Sequence, residues 1–311
     1  MEMVDGPFFD DLAVGDRFAG APGVTLTSGH AAVHQAVLGD RLRLPLDEPL
    51  ARAVTGSAPL AHPALVWDVA IGQSTVVTRQ VLANLSYLGL AFHRFPIIGD
   101  TLRTVTEVVA LKENSRRPDR APTGIAALRI TTVDQDDRPV LDFWRNAMLP
   151  LRSDAPTGHR DDLSAIGTAS APVTPDWDLA AFRARVPGEH ADTMTVGRTW
   201  RIPGGDVVSN APELARLTVN IATVHHFARQ RLVYGGHTIG VALAQACRAI
   251  PNIVTVVSWD GCDHVGPVHE GDVLTSQVEV LAVDGNLITL RSTVGTVSGA
   301  VLDWRFTVVM A

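Results

Sequence analysis

The sequence predicts an α+β fold of two similar units in tandem, each a long central helix wrapped by a curved antiparallel sheet. Three observations carry this. Four short segments recur in the same order along the chain. One stretch of helical length in the second half is apolar on nearly every side. The chain closes on runs that alternate between apolar and polar residues.

The repeat comes first. Ala13-Val14-Gly15-Asp16-Arg17-Phe18 resembles Thr195-Val196-Gly197-Arg198-Thr199-Trp200. Gly99-Asp100-Thr101-Leu102 with Glu107-Val108 resembles Gly271-Asp272-Val273-Leu274 with Glu279-Val280, at a constant separation of 172 positions. Ala127-Leu128-Arg129 resembles Thr289-Leu290-Arg291, and Val140 to Arg145 resembles Val301 to Arg305. Four matches in register divide the chain into an N-terminal unit over 1–153, a linker over 154–190 and a C-terminal unit over 191–311. The linker is rich in Pro, Gly, Asp, Ser and Ala, with a short helix expected between Trp177 and Val186. Each unit should open on a short strand with a Val-Gly turn, pass through a helical stretch and a loop, and reach its central helix. In the second unit that helix is expected from about Gly236 to Ile250, buried through Ile239, Val241, Leu243 and Cys247. Strands follow at Val273–Val280, Leu287–Ser292 and Val301–Met310, the first two alternating in pattern. A buried helix inside a curved antiparallel sheet is the hot-dog arrangement, and two side by side make a double hot dog.

Composition bounds the function. Apolar residues make up 46% of the 311, enough for a sizeable core, and charged residues only 19%. The net charge of −7 and pI near 5.8 argue against a nucleic-acid partner, which favours a basic face. Cys247 and Cys262 form neither a disulfide framework nor a CxxC metal site and are expected reduced and buried. The N-terminus lacks the basic-then-apolar pattern of a signal peptide, and no apolar run reaches membrane-span length, so a cytoplasmic location is expected.

One segment concentrates chemistry. Asn220-Ile221-Ala222-Thr223-Val224-His225-His226 is followed by Leu232-Val233-Tyr234-Gly235-Gly236-His237. This resembles the MaoC-like family of (R)-specific enoyl-CoA hydratases and dehydratases, in which an Asp, a His five positions later and a Gly-containing step open the central helix. It is similar in particular to the two-unit mesaconyl-CoA (2-methylfumaryl-CoA) hydratase branch. The resemblance covers nearly the whole chain. It implies reversible addition of water to a 2-enoyl-CoA, possible branched or dicarboxylic short acyl groups among the substrates, and coenzyme A as part of the substrate with no other cofactor. Here Asn220 stands in the Asp position and His225 in the His position.

Elementary chemistry assigns the roles. A His of near-neutral pKa can take a proton from water and return one. Asn cannot ionise, so Asn220 can orient the water but cannot be a second base. The first N–H groups of a helix lack internal partners and can donate to the thioester oxygen, which makes Gly236 the expected donor. Tyr234, Gly235 and His237 are expected to line the acyl pocket. His226, adjacent to the base, should point elsewhere. Asp260, Asp263, His264 and His269 match no zinc spacing, and no metal is expected. Arg229, Arg231 and Arg248 are the nearby basic residues for coenzyme A. In the first unit Pro45 follows Asp40 at the spacing of the base, and Pro63, which has no N–H, takes the place of Gly236. That half is expected to keep its fold, lose its chemistry and shape the substrate tunnel. Two rivals share the fold. A thioesterase would want an acidic group where Asn220 stands. A non-catalytic acyl-CoA-binding or heteromeric partner subunit would make Asn220 the mark of lost activity. Two units in one chain already supply the pairing that single hot dogs achieve as dimers, so a homodimer would be a further assembly.

Overall fold

The computed structural model describes residues 5–57, 59–164, 166–167, 173–227 and 231–311. The first unit runs β1 (Arg17–Phe18), β2 (Val24–Thr25), α1 (Ser28–Leu38), α2 (Arg43–Leu46), α3 (Glu48–Thr55), α4 (Pro63–Gln73), β3 (Ala83–Phe92), β4 (Thr101–Glu113), β5 (Thr123–Val133) and β6 (Pro139–Pro150). α5 (Leu179–Arg185) lies between the units. The second unit runs β7 (Thr199–Val207), α6 (Ala211–Leu217), α7 (Gly235–Ala249), β8 (Ile253–His264), β9 (Val273–Asp284), β10 (Leu287–Thr296) and β11 (Gly299–Met310). The strands form one antiparallel sheet in the order β1-β4-β5-β6-β3-β8-β11-β10-β9-β7, with β2 on β4. Read outward from its middle, each half repeats the same order, and β3 pairs with β8 across the junction.

The repeat reaches individual hydrogen bonds. Gly15 N–H donates to Val108 O and Gly197 N–H to Val280 O, both at 2.8 Å. Asp100 accepts from Ile97 N–H at 2.9 Å, as Asp272 does from His269 N–H at 2.8 Å. Gly99 and Gly271 close these turns at φ +110° and +90°, a region that side chains disfavour. On the central helices Gln73 donates to Leu102 O at 2.9 Å and Gln245 to Leu274 O at 2.8 Å, again 172 positions apart. This register sets Pro63 opposite Gly235, the first residue of α7, and not opposite Gly236. Arg129 contacts Asp142 at 3.4 Å, and Arg291 forks onto Asp303 at 2.6 and 2.9 Å.

Every residue of α4 is buried, and α7 is buried from Gly236 to Cys247. α4 starts on Pro63, whose missing N–H costs nothing at that position, while His62 Nδ1 accepts from Ala64 N–H at 3.1 Å. Trp67 of α4, Trp259 of β8 and Trp304 of β11 form one fully buried aromatic cluster, with centroids 4.8 Å (Trp67–Trp259) and 5.5 Å (Trp259–Trp304) apart. The two units therefore share a core.

Two segments differ from the sequence expectation. Residues 41–60 hold α2 and α3, each terminated within a few residues, rather than an open loop. β8 is a strand too uniformly buried to show alternation. The inter-unit segment packs onto the protein: Asp178 N–H donates to Val54 O at 2.8 Å, and Phe182 joins a buried cluster with Leu50, Val54 and Val257. Among the described residues no helix is long and apolar enough to cross a membrane, and Cys247 and Cys262 are free and buried.

Nothing within 4 Å would obstruct a Cβ on Gly271. Gly271→Ala should therefore cost about 1 kcal/mol through backbone strain alone. A chemical denaturation curve would read this as a lowered midpoint with an unchanged slope.

Candidate active site

The segment between α6 and α7 is bent by an unusual residue. Val219, β-branched, sits at φ +54°, a conformation that such residues rarely adopt and that concentrates at functional sites. It turns Asn220 inward, where the residue is 3% exposed. Asn220 N–H donates to Ala215 O at 2.9 Å, and its Oδ1 accepts from Ala222 N–H at 3.0 Å. The backbone donor identifies that atom as oxygen, so the amide NH₂ remains as the free donor. The first unit pins this segment from outside. Thr75 Oγ1 accepts from Ile221 N–H at 3.0 Å, and Arg79 O accepts from Thr223 N–H at 2.9 Å.

His225 closes a single turn of 3₁₀ helix over Thr223–His225. Its Nδ1–H donates to Leu232 O at 2.8 Å, which assigns the proton to Nδ1 and leaves Nε2 with a lone pair. Burial pulls its pKa down to about 4, against the backbone hydrogen bond and helped by the charges of His226 and Arg145. The ring is a neutral base at physiological pH. His226 turns the other way and donates from Nε2 to Asn220 O at 2.7 Å, holding the bend.

A cavity of about 370 Å³ opens beside these residues. Asn220, His225, Tyr234, Gly235 and Thr238 line it. Gly236 and His237 do not line it. The helical turn places residues 235 and 238 on one face and aims 236 and 237 elsewhere. A Cβ on Gly236 would lie 2.1 Å from Asp68 Oδ1 of α4, so this glycine allows the two central helices to approach. His237 is fully buried outside the cavity, and burial lowers its pKa to about 4. Of the helix start, Gly235 is therefore the residue that meets the cavity, and its missing Cβ would lie 2.6 Å from His264 Nε2. Tyr234 donates its hydroxyl to Asp68 at 3.2 Å and presents its ring to His225, with centroids 5.8 Å apart.

Sequence reasoning missed the other wall. Tyr87, Thr78 and Arg145 of the first unit line the same cavity, as does His264 of β8. No local signal marks them, because they arrive from strands and a helix end far along the chain. Of the basic residues suggested for coenzyme A, Arg231 is paired with Glu270 at 2.6 Å and Arg248 with Asp206 at 2.6 Å; Arg229 lies outside the described residues.

The first unit keeps a different constellation where its own site would be. His34 Nδ1 meets Asp40 at 2.6 Å and its Nε2 meets Asp68 at 3.2 Å. Burial opposes the charge on His34, but Asp40 and both hydrogen bonds outweigh it and raise the pKa to about 10. His62 Nε2 lies 3.7 Å from Asp40. These are the ligand-type side chains that converge among the described residues, while Asp260, Asp263, His264 and His269 do not form such a group. They do not fit a cation. His62 Nδ1 already accepts from Ala64 N–H, so its proton sits on Nε2, and both nitrogens of His34 face carboxylates.

No protein-family model matches the chain. Among solved structures, a conserved hypothetical protein from Mycobacterium tuberculosis with a double hotdog fold is 54% identical over the full length of both chains, at a TM-score of 0.94. The mesaconyl-CoA hydratase of Cereibacter sphaeroides is 28% identical over 90% of this chain and 85% of its own. The beta-methylmalyl-CoA dehydratase of Chloroflexus aurantiacus is 26% identical over 89% of this chain and 82% of its own. With its repeated architecture and these relatives, the chain belongs to the double hot-dog proteins and is similar over most of its length to CoA hydratases and dehydratases.

Proposed function

We propose that the protein catalyses reversible addition of water to a 2-enoyl-CoA, giving a 3-hydroxyacyl-CoA. The observation that carries this is the tautomer of His225, a buried imidazole with its lone pair on Nε2 in a cavity that ends at a helix N-terminus. In the forward direction Nε2 takes a proton from water while the water oxygen bonds to the β-carbon. The displaced π electrons move toward the thioester oxygen, where the Gly235 N–H can donate. The imidazolium then returns its proton to the α-carbon, so one water is added and the base is regenerated. The Asn220 amide NH₂ holds the water oxygen. Asn220 cannot relay a proton, so one base serves both transfers. The acyl group we favour is short and branched or dicarboxylic, such as mesaconyl, which the names of the two curated relatives and the size of the cavity support. The thioesterase reading is disfavoured because no carboxylate stands among the described residues lining the cavity.

Mixing the protein with mesaconyl-CoA, and separately with crotonyl-CoA, should bleach the enoyl-thioester absorbance. His225→Ala should lower that rate by about 10²–10⁴-fold, the range for a general acid–base residue. Release of free thiol would indicate a thioesterase, and binding without turnover a non-catalytic partner.

The pH dependence follows from the depressed pKa. His225 must be neutral to act, and its folded value of about 4 lies below the ordinary 6.5. The acid limb of kcat/KM should therefore appear as pH falls toward about 4, with no break near 6.5. An inflection at the ordinary histidine value would mean that His225 is solvated or is not the base.

A further inference from the structure

Adding water to a neutral enoyl thioester gives Arg145 nothing to do. This residue of β6 is 3% exposed and lines the cavity that holds His225 and Asn220. Among the described residues no carboxylate lies within ion-pair distance of it. Nη2 donates to Thr78 Oγ1 and, at 3.5 Å, to Ser74 O, while Nε is buried without a partner. Taking a guanidinium out of water without a counter-charge is among the costlier arrangements in a protein interior.

The repeat supplies an independent observation. Arg145 sits opposite Leu128 on β5, and in the second unit the residue opposite Leu290 is Phe306, fully buried and stacked on Trp304. The short sequence match had aligned Arg145 with Arg305, which is exposed. The strand register moves the equivalence by one residue and thereby to the opposite face. The fold is thus satisfied by an apolar ring at this position, and the cation belongs to the half that walls the cavity.

We infer that Arg145 binds a second carboxylate of the acyl group, which makes the substrate a coenzyme A monothioester of an unsaturated dicarboxylic acid and Arg145 its specificity-determining residue. The inference deepens the hydratase reading and rests on it for the position of the reacting carbons. In a fumaryl-type thioester the free carboxylate is bonded directly to the β-carbon that water attacks. Its counter-ion must stand near the base that delivers the water, and Arg145 and His225 line the same cavity, one from each unit. Among the described residues Nη1 has no hydrogen-bond partner and is not sealed off as Nε is, so it is the donor that a carboxylate in the cavity can accept from. Apolar neighbours such as Ile71, Val81, Val224 and Val268 leave such a pair little screened.

Mesaconyl-CoA and tiglyl-CoA form the test pair, because they differ only by a carboxylate in place of a methyl. Wild type should prefer mesaconyl-CoA by about 100-fold or more in kcat/KM, as expected for a site whose buried polar group is left unpaired by the analogue. Arg145→Met should reduce that ratio to within about fivefold, and Arg145→Lys, which keeps the charge but not the fork, should fall between. The ligand-free Met variant should melt no lower than wild type, since an apolar residue of similar size replaces an unpaired charge. Should the Met variant not fold, the Lys variant carries the comparison. A ratio unchanged in the variants, or a wild-type preference for tiglyl-CoA, overturns the inference. If wild type hydrates neither compound, the hydratase reading fails, and calorimetric binding of the same two compounds decides the carboxylate site separately. Tighter binding of mesaconyl-CoA that is lost in the variant upholds it, and equal binding overturns it.

Discussion

The pairing of β3 with β8 is the constraint on which the rest depends. It fuses two half-sheets into one and brings α4 and α7 together beneath it, with Trp67, Trp259 and Trp304 packed at the seam. The two helices come close enough for Tyr234 to donate its hydroxyl to Asp68 and for Gly236 to leave no room for a side chain. Once that seam exists, β6 and the end of α4 become a wall of the cavity that the second unit opens. Neither unit could form that cavity alone.

The two units show how a duplicated architecture divides labour without changing shape. Turn hydrogen bonds, helix-to-strand glutamine contacts and Arg–Asp pairs are retained in both. What differs is the environment of the histidines. His225 has a carbonyl as its one partner, and burial keeps it neutral and basic at Nε2. His34 has two carboxylates as partners and is held as an imidazolium. The same side chain is a base in one half and a fixed charge in the other, because charge compensation is present in only one of them. Pro63 completes the asymmetry by removing the N–H that Gly235 offers at the equivalent helix start.

A good part of the architecture could be read from local pattern. Gly99-Asp100 and Gly271-Asp272 mark turns whose geometry demands those residues, and the apolar run after Tyr234 permits only a buried helix. Other segments are harder to read: β8 is buried along most of its length and so does not alternate, α2 is a single turn, and α3 shows its buried stripe of Leu50, Ala51 and Val54 over only two turns. In the site, the resemblance to the MaoC-like motif singled out Asn220 and His225, which lie on one short bend and line one cavity. It did not identify which residue of the Gly235-Gly236-His237 run faces the cavity, since that depends on the phase of the helix against its neighbours and not on the composition of the run.

By itself, the sequence determined the α+β architecture of two repeated units and the buried helix of the second, because a repeat and an apolar run are both written along the chain; Asn220 and His225 stood out only through their resemblance to a family motif. Only the tertiary structure decided that the neutral tautomer of His225 is set by Leu232 O, that Gly235 rather than Gly236 and His237 meets the cavity, and that Arg145 stands in it without a counter-ion. Those outcomes depend on the backbone conformation that brings Leu232 O to His225, on contacts between segments far apart in the chain, and on the rotation of a helix about its axis, none of which a linear pattern carries.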